Sequence, residues 1–313
     1  MVICKLLIDM SKLNFVKDIF TITKKTASEW LDADPFRQSA TVAYYAVFSI
    51  PALLVIIIAL AGLAFGKEAI QGEISGQIEA ALGKETAETI ESIIAKSSEK
   101  ETSVIATIIG FVTLIIGSTG VFGQLQTSLN QIWEVKVVAK KKWLKTIKDR
   151  LFSFGLVLSI GFLLLVSLLL TTGLEAFGEY IKHRLPEFML VVFHLLNFVI
   201  SFGVITVLFS LIFKVLPDAK IHWGDVWIGA IVTSLLFILG KYALGIYFVK
   251  AEPGSVYGAA GSIVLIMLWV SYSCMILFFG AEFTKQFATF YGHKIEPTAD
   301  SEMINQAQIE KRK

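Results

Sequence analysis

The chain has 313 residues, of which 55% are hydrophobic and 17% charged, and its mean hydropathy is +0.70. A soluble protein of this size has too much surface to cover with so few charges, so the composition excludes an ordinary soluble fold and favours membrane spans. The formal net charge of +2 is small, and its distribution along the chain is more informative than its sum.

The first 36 residues predict a cytoplasmic segment that contains a helix lying at the membrane interface. Between residues 11 and 31, apolar and aromatic side chains stand among lysines, a pattern typical of interfacial amphipathic helices. No small-residue cleavage site follows an apolar core, so a cleaved signal peptide is not predicted. Pro35 suits the first turn of the next helix, with Asp34 as its cap.

Six long runs with little or no charge predict transmembrane helices. About 20 apolar residues cross about 30 Å of hydrocarbon as a helix, and each run is long enough. Backbone amides cannot stay unpaired in lipid, and none of the runs shows the alternation of a β-barrel strand. The membrane domain is predicted at 37–285, with spans at about 40–66, 103–123, 152–174, 189–213, 226–249 and 258–283.

The positions of lysine and arginine predict the orientation of these helices. The two terminal segments and the loops on their side carry 20 of these residues, whereas the loops on the opposite side carry seven. An excess of basic residues marks the cytoplasmic side of a membrane protein. Both termini are therefore expected in the cytoplasm.

The loops and the tail contain further signals. The outer loop at 67–101 carries eight glutamates, and its isoleucines at spacing four predict a short helical cap. The basic run Lys140–Arg150 predicts an interfacial helix on anionic headgroups, which is favoured over nucleic-acid binding. Residues 286–313 are expected to form a disordered cytoplasmic tail. The predicted fold is an all-α integral membrane protein with six spans, an extracytoplasmic helical cap and interfacial amphipathic helices.

Lys241 is the clearest anomaly within the apolar runs, because it lies about 12 Å below the outer end of the fifth span. A charge at that depth costs about 2.5–3.5 kcal/mol on insertion scales, so it is expected to face the bundle interior or water. Asn197 on the fourth span is expected at a similar depth, with His194 one turn nearer the outer surface. The alternative is that Lys241 extends along its own stem to the interface.

Three further residues complete a candidate polar path. Arg37 opens the first span and would bind a phosphate headgroup or an anionic substrate. Gln124 follows the second span at its inner end, and Glu282 lies near the inner end of the sixth. The alternative role for Glu282 is that of an interfacial carboxylate paired with Lys285 three residues later.

Glycines at helical spacing predict positions where neighbouring helices approach closely. Gly117, Gly120 and Gly123 recur every three residues at the end of the second span. Gly258 and Gly261 belong to the small-residue patch that opens the sixth span. Close helix packing is the role expected for all five.

Signals of catalysis or metal binding are not found in the sequence. The four histidines are scattered without metal-ligand spacing, and Cys4 and Cys274 are isolated and expected to be reduced. No ATP-binding loop is visible, so any transport would be secondary or driven by a partner. We therefore expect no enzyme, no metal and no cofactor.

Four motifs resemble the YihY/BrkB family of bacterial membrane proteins. They are RQSATVAYYAVFSIPALL, TSVIATIIGFVTLIIGSTGVFGQLQTSLNQIW, FKVLPDAKIHWGDVWIGAIVTSLLF and YGAAGSIVLIMLWVSYSCMILFFGAEF, and they cover roughly residues 30–291. Ala52 stands where many relatives resemble FSLPPLL, a departure that concerns a local kink. The resemblance implies a multi-pass protein of the bacterial cytoplasmic (inner) membrane with six helices, but no settled activity.

Members of that family have carried a "ribonuclease BN" label and a virulence label. A two-metal nuclease needs several converging carboxylates. The carboxylates predicted on the inner side are few and dispersed, so nuclease activity is disfavoured.

Two hypotheses about function therefore stay open. The leading one is a secondary transporter or translocator of a small anionic or lipid-like substrate, with a path along the candidate polar residues. The other is a non-catalytic membrane scaffold or envelope-integrity protein, in which the glycines only pack helices. Both involve membrane lipids and no nucleic acid, and a homo-oligomer is compatible with each.

Overall fold

The computed structural model of the chain describes residues 15–65, 67–99, 120–138, 187–251, 253, 257 and 260–304. Within these ranges the chain is mostly helical, with four strands of two or three residues. The helices are α1 (Phe15–Asp32), α2 (Pro35–Phe65), α3 (Lys67–Leu82), α4 (Lys84–Glu99), α5 (120–132), α6 (Glu187–Val215), α7 (Trp223–Ala251) and α8 (Gly261–Phe290). The strands are β1 (Val135–Val137), β2 (Ala219–Lys220), β3 (Glu296–Pro297) and β4 (Ser301–Met303).

Three helices in the described part of the chain are long and apolar enough to cross a membrane. They are Leu195–Val215 in α6, Trp223–Phe248 in α7 and Gly261–Phe290 in α8, and they coincide with the predicted fourth, fifth and sixth spans. Helix α2 has 31 residues and coincides with the predicted first span. At 1.5 Å per residue it is about 46 Å long, more than the hydrocarbon thickness. Of the predicted second and third spans, all but residues 120–123 lie outside the described residues.

Helix α8 is central to the described bundle. It packs against α1, α2 and α7, while α6 packs against α7. The main core joins these helices to α5 around the buried side chains of Leu129, Phe213 and Phe278. One stripe of α7 is apolar yet exposed with respect to the described residues, as expected for a helix that meets lipid. The stripe consists of Trp227, Ile231, Leu235, Leu239, Tyr242 and Ile246.

Two glycine–threonine pairs bring α7 and α8 together. A Cβ built on Gly229 would lie 1.7 Å from Thr284 Oγ1, and one on Gly280 would lie 1.8 Å from Thr233 Oγ1. Each threonine hydroxyl donates within its own helix, Thr233 to the Gly229 carbonyl (2.6 Å) and Thr284 to the Gly280 carbonyl (2.7 Å). The hydroxyls are thus satisfied without water, which lets the two backbones approach closely.

The predicted helical cap is present as α3 and α4. The two helices pack against each other and on α2. Ile70 and Ile90 are buried against Ile58 of α2, with Ile74 and Ile78 beside them. The isoleucine spacing therefore identified the face that docks on the membrane helices.

The opposite end of the bundle carries four short strands. Antiparallel pairs join β1 to β4 and β2 to β3. We call residues 135–138, 216–222 and 291–304 the strand layer. They lie where α5, α6 and α8 end and where α7 begins.

The strand layer refines one prediction and corrects another. The described chain is mostly helical, as the all-α class predicted, but it also contains four strands that are too short to show any alternation in the sequence. The predicted disordered tail is wrong for 286–304, because α8 continues to Phe290 and the chain then pairs with residues of two other connections. Residues 305–313 lie outside the described ranges.

Helix α1 also lies at this end. Its Ile22 is buried against Phe283 and Phe287 of α8. Phe20, by contrast, is 70% exposed among the described residues. An exposed aromatic on a helix docked at the end of the bundle fits the predicted interfacial position.

Candidate functional site

The Asp218 carboxylate is the centre of a buried polar network beneath the bundle. The amides of two α5 residues donate to the same oxygen, Asn130 Nδ2 to Asp218 Oδ2 at 2.8 Å and Gln126 Nε2 at 3.1 Å. In return, the Asp218 backbone N–H donates to Asn130 Oδ1 at 2.7 Å. Asn130 therefore acts as a reciprocal clamp between α5 and the turn that follows α6.

The strand layer closes over this network. The Asp218 carbonyl accepts the Ser301 hydroxyl at 2.8 Å and the Thr298 backbone N–H at 3.0 Å. The Ile304 backbone N–H donates to the Glu134 carbonyl at 2.8 Å. The segment after α8 is thus fastened to the ends of α5 and α6 by bonds that involve backbone groups.

Glu282 is buried within α8, with 2% of its side chain exposed. Gln286 Nε2 donates to Glu282 Oε1 at 2.6 Å, and Lys285 Nζ lies 3.6 Å from the same oxygen. Lys285 also forms a 2.9 Å ion pair with Glu134 at the end of α5. Two carboxylates from different elements therefore share one lysine that is itself 16% exposed.

Arg37 and Gln124, two further residues of the candidate polar path, are not part of the Glu282 network. Arg37 is exposed and pairs with Asp34 three residues earlier, Nε to Oδ2 at 3.0 Å. Gln124 is half-buried on α5 and donates to Ser128 Oγ at 3.3 Å. The sequence offered the alternative that Glu282 is an interfacial carboxylate paired with Lys285. The pair is present, but the Glu282 side chain is buried rather than interfacial.

Lys241 and Asn197 lie on two helices that pack against each other, α7 and α6. Lys241 is exposed with respect to the described residues, whereas Asn197 is half-buried. His194 also lies on α6, but its side chain is outside the described part of the structure.

The predicted packing glycines differ in what surrounds them. A Cβ on Gly120 would lie 2.3 Å from the Tyr45 ring of α2, so this glycine is in close contact with a neighbouring helix. At Gly123 a Cβ would meet no described atom within 4 Å. Gly261 is buried at the start of α8. Gly117 and Gly258 lie outside the described residues.

A third cluster forms where α7 begins. His293 Nδ1 lies 2.8 and 3.0 Å from the two carboxylate oxygens of Asp225. The rings of His222 and His293 have centroids 5.4 Å apart. One donor atom from each of the three side chains lies within 4.8 Å of the other two. The histidines are far apart in the sequence, so their spacing did not predict this cluster, which forms only when the chain folds.

Sequence reasoning missed the members of these networks for a common reason. Asn130 and Asp218 are 88 residues apart, and Asp225 and His293 are 68 apart. A local signal existed only on α5, where Gln126 and Asn130 are four residues apart and so share one helical face.

Comparison with known proteins shows what the chain is similar to. Residues 26–302 match the model of the family described as Virulence factor BrkB. Curated relatives include proteins named UPF0761 membrane protein. The match to that of Tolumonas auensis is 29% identical and covers 62% of this chain and 60% of the relative. The match to that of Pasteurella multocida is 28% identical and covers 58% and 54%, respectively.

The chain spans between two fifths and three fifths of the length of the curated relatives that it matches. The match to the UPF0761 membrane protein of Alteromonas mediterranea, for example, is 28% identical and covers 57% of that protein. No solved structure matches the chain. The relatives' names state a membrane location and no activity.

Proposed function

We propose that the chain, which belongs to the Virulence factor BrkB family, is a secondary transporter or translocator of a small anionic or lipid-like substrate. It would act as a six-helix, multi-pass protein of the bacterial cytoplasmic membrane. The support is a membrane-type helical bundle that buries charged side chains on its central helix, together with relatives named as membrane proteins.

The observation that carries this proposal is the ion network of Glu282, Lys285 and Glu134. Ionisable groups in membrane helices are costly and mark substrate or proton pathways by default. Lys285 lies between two carboxylates at the end of the bundle, and one of them, Glu282, is held by a hydrogen bond from Gln286. The Lys285 ammonium can exchange a carboxylate partner for a passing anion or headgroup, so we place the inner gate here.

The same proposal fixes the orientation. The strand layer and α1 would be cytoplasmic, and the α3–α4 cap would lie outside, as the excess of lysine and arginine predicts. The basic run Lys140–Arg150 would rest on anionic headgroups. We propose no nucleic-acid partner and no enzymatic activity, and a homo-oligomer remains compatible with this arrangement.

Cysteine labelling tests this orientation. In a chain with Cys4 and Cys274 replaced by serine, a single cysteine at exposed Gly76 of the cap is expected to react with a membrane-impermeant maleimide in spheroplasts. A single cysteine at exposed Asp300 is expected to react only after the membrane is opened. Equal labelling of both positions before opening, or the reverse pattern, would contradict the proposed topology.

A scaffold role is the second candidate, and the exposure of Lys241 favours it. If Lys241 belonged to a polar path, its side chain would be expected to face a cavity inside the bundle. Its side chain is instead exposed with respect to the described residues. Arg37 is likewise held by its local partner Asp34. In this candidate function the glycine–threonine contacts and the strand layer would serve only to hold a rigid membrane platform.

Reconstitution distinguishes the two functions. The purified full chain would be placed in liposomes that report chloride flux and the exchange of a fluorescent phosphatidylglycerol between leaflets. We expect Glu282→Gln to lower the active rate about tenfold, which corresponds to about 1.4 kcal/mol, because Lys285 then loses a charged partner that positions it in the gate. Glu88→Gln is the matched control, since Glu88 is an exposed glutamate of the cap, paired with Lys84.

The outcomes separate the residues as well as the functions. Equal rates for wild type and Glu282→Gln would remove the ion network from the mechanism. Equal rates for wild type and Lys241→Ala would remove Lys241 from it. Rates no higher than those of empty liposomes for both substrates would support the scaffold function.

A further inference from the structure

The cluster of His222, Asp225 and His293 contains the donors of a transition-metal site. Two imidazoles and one carboxylate are a recurrent ligand set for Zn²⁺ and for related divalent ions. Their donor atoms lie within 4.8 Å of one another. A metal at about 2.0–2.2 Å from each donor separates donors by up to about 4 Å, so small side-chain rotations bring the three into range.

The burial of the three groups suits this role. Asp225 is 2% exposed, in the first turn of α7, whereas His293 is 47% exposed and His222 is also exposed. The carboxylate is therefore fixed by the fold, and the two imidazoles close over it from the solvent side. The solvent-facing side leaves the remaining coordination positions to water, as in zinc sites with an open position.

Backbone contacts hold the donors in place. The His222 carbonyl accepts the backbone N–H groups of Asp225 (3.1 Å) and Val226 (3.2 Å), so His222 is fixed to the first turn of α7. The Gly224 backbone N–H donates to His222 Nδ1 at 3.2 Å, a hydrogen bond that a metal bound at this nitrogen would replace. The His293 backbone N–H donates to the Ala288 carbonyl at 2.8 Å, which ties His293 to the end of α8. The start of α7 and the segment after α8 thus present their donors to one point.

We propose that His222, Asp225 and His293 bind a divalent transition-metal ion of the Zn²⁺ class, which clamps the segment after α8 to the start of α7. Imidazole donors select Zn²⁺, Co²⁺ or Ni²⁺ over Mg²⁺ and Ca²⁺, whose preferred ligands are oxygens. The site is separate from the Glu282 network, and it stands whether or not the chain is a transporter.

Metal binding to the full chain tests the proposal. The protein would be purified in detergent without a polyhistidine tag, stripped with EDTA and dialysed against Zn²⁺, with Co²⁺ absorbance as a second probe. We expect one Zn²⁺ per chain, no competition from millimolar Mg²⁺, and a Zn²⁺-dependent rise in the melting temperature, because an ion that binds only the folded state stabilises it.

Single substitutions locate the site. His293→Ala and His222→Gln are expected to weaken Zn²⁺ binding at least tenfold and to abolish the rise in melting temperature. The His222 side chain is exposed and its loss leaves the His293–Asp225 pair intact, so the melting temperature of His222→Gln in EDTA should match wild type and show that this variant folds. His293→Ala removes the partner of the buried Asp225 carboxylate, so its melting temperature in EDTA should be lower than that of wild type. His183→Ala is the control, because the sequence predicts His183 on the opposite membrane face.

Two results would overturn the proposal. One is a wild-type chain that binds neither Zn²⁺ nor Co²⁺ when the metal is present at about 100 µM. The dissociation constant would then be too high for a preformed metal site. The other is Zn²⁺ binding of equal strength in wild type, His293→Ala and His222→Gln.

Discussion

Replacing Gly280 with alanine is expected to destabilise the membrane bundle by about 2 kcal/mol, although alanine is the better helix former. The new methyl group would lie 1.8 Å from Thr233 Oγ1 and 2.8 Å from its Cβ. Rotating the hydroxyl away would not suffice, since the Cβ contact is fixed by the backbone. The α7 and α8 backbones must therefore separate, and the core around Phe278 would loosen with them.

Two variants make this result specific. Gly245→Ala on α7 is the matched control, because a Cβ there meets no described atom within 4 Å, and alanine should be neutral or stabilising by up to about 1 kcal/mol. The combination Gly280→Ala with Thr233→Gly removes the opposing side chain and should recover most of the loss. The measurement is the free energy of unfolding in mixed detergent and SDS micelles. A Gly280→Ala chain as stable as Gly245→Ala would contradict the close approach of the helices.

Replacing Asn130 with alanine is expected to cost about 3 kcal/mol of unfolding free energy. The substitution removes one donor to the Asp218 carboxylate and the side-chain oxygen that accepts the Asp218 backbone N–H. A buried group left unpaired costs about 1–3 kcal/mol, and more when it is charged. The strand layer should loosen at the same time, because Ser301 and Thr298 bond to the same residue, Asp218.

Thr127→Ala on the same helix is the matched control. The Thr127 hydroxyl is exposed and bonds only to the Gly123 carbonyl of α5, so its loss should stay within about 0.5 kcal/mol. Trp133 is buried one turn beyond Asn130, so in chains whose other five tryptophans are replaced by phenylalanine its fluorescence reports the local transition. Equal stability of Asn130→Ala and Thr127→Ala would show that the Asp218 network does not hold the layer together.

Features with a local period could be predicted from the sequence. The apolar runs identified α2, α6, α7 and α8, and the isoleucine spacing identified the docking face of the cap, because helix burial follows the 3.6-residue period. The resemblance to the YihY/BrkB family was confirmed by the family match over residues 26–302.

Features that depend on pairing between distant segments could not be predicted. The strands have two or three residues, and their pairs join the segments that follow α5, α6 and α8. In the sequence, Thr233 and Thr284 look like ordinary polar residues. Their role depends on the structure, in which each threonine packs against a glycine of the other helix. The same holds for Asp218, whose amide partners come from a helix 88 and 92 residues earlier.

Lys241 and Glu282 show that charged residues within apolar runs can differ in whether the fold buries them. Both are charged residues in predicted spans, and depth alone ranked Lys241 first. The structure buries Glu282 with two partners on α8, whereas Lys241 is exposed with respect to the described residues. Burial depends on which face of the helix meets a neighbour, which hydropathy along the chain does not encode.

We propose that the chain moves an anionic or lipid-like substrate past the Glu282 ion network. The most direct measurement is the rate of chloride flux and of fluorescent phosphatidylglycerol exchange in liposomes with and without the purified chain. We expect the wild-type rate to exceed that of empty liposomes for at least one substrate, and we expect Glu282→Gln to lower this rate about tenfold while Glu88→Gln leaves it unchanged. Wild-type rates equal to those of empty liposomes for both substrates would contradict it.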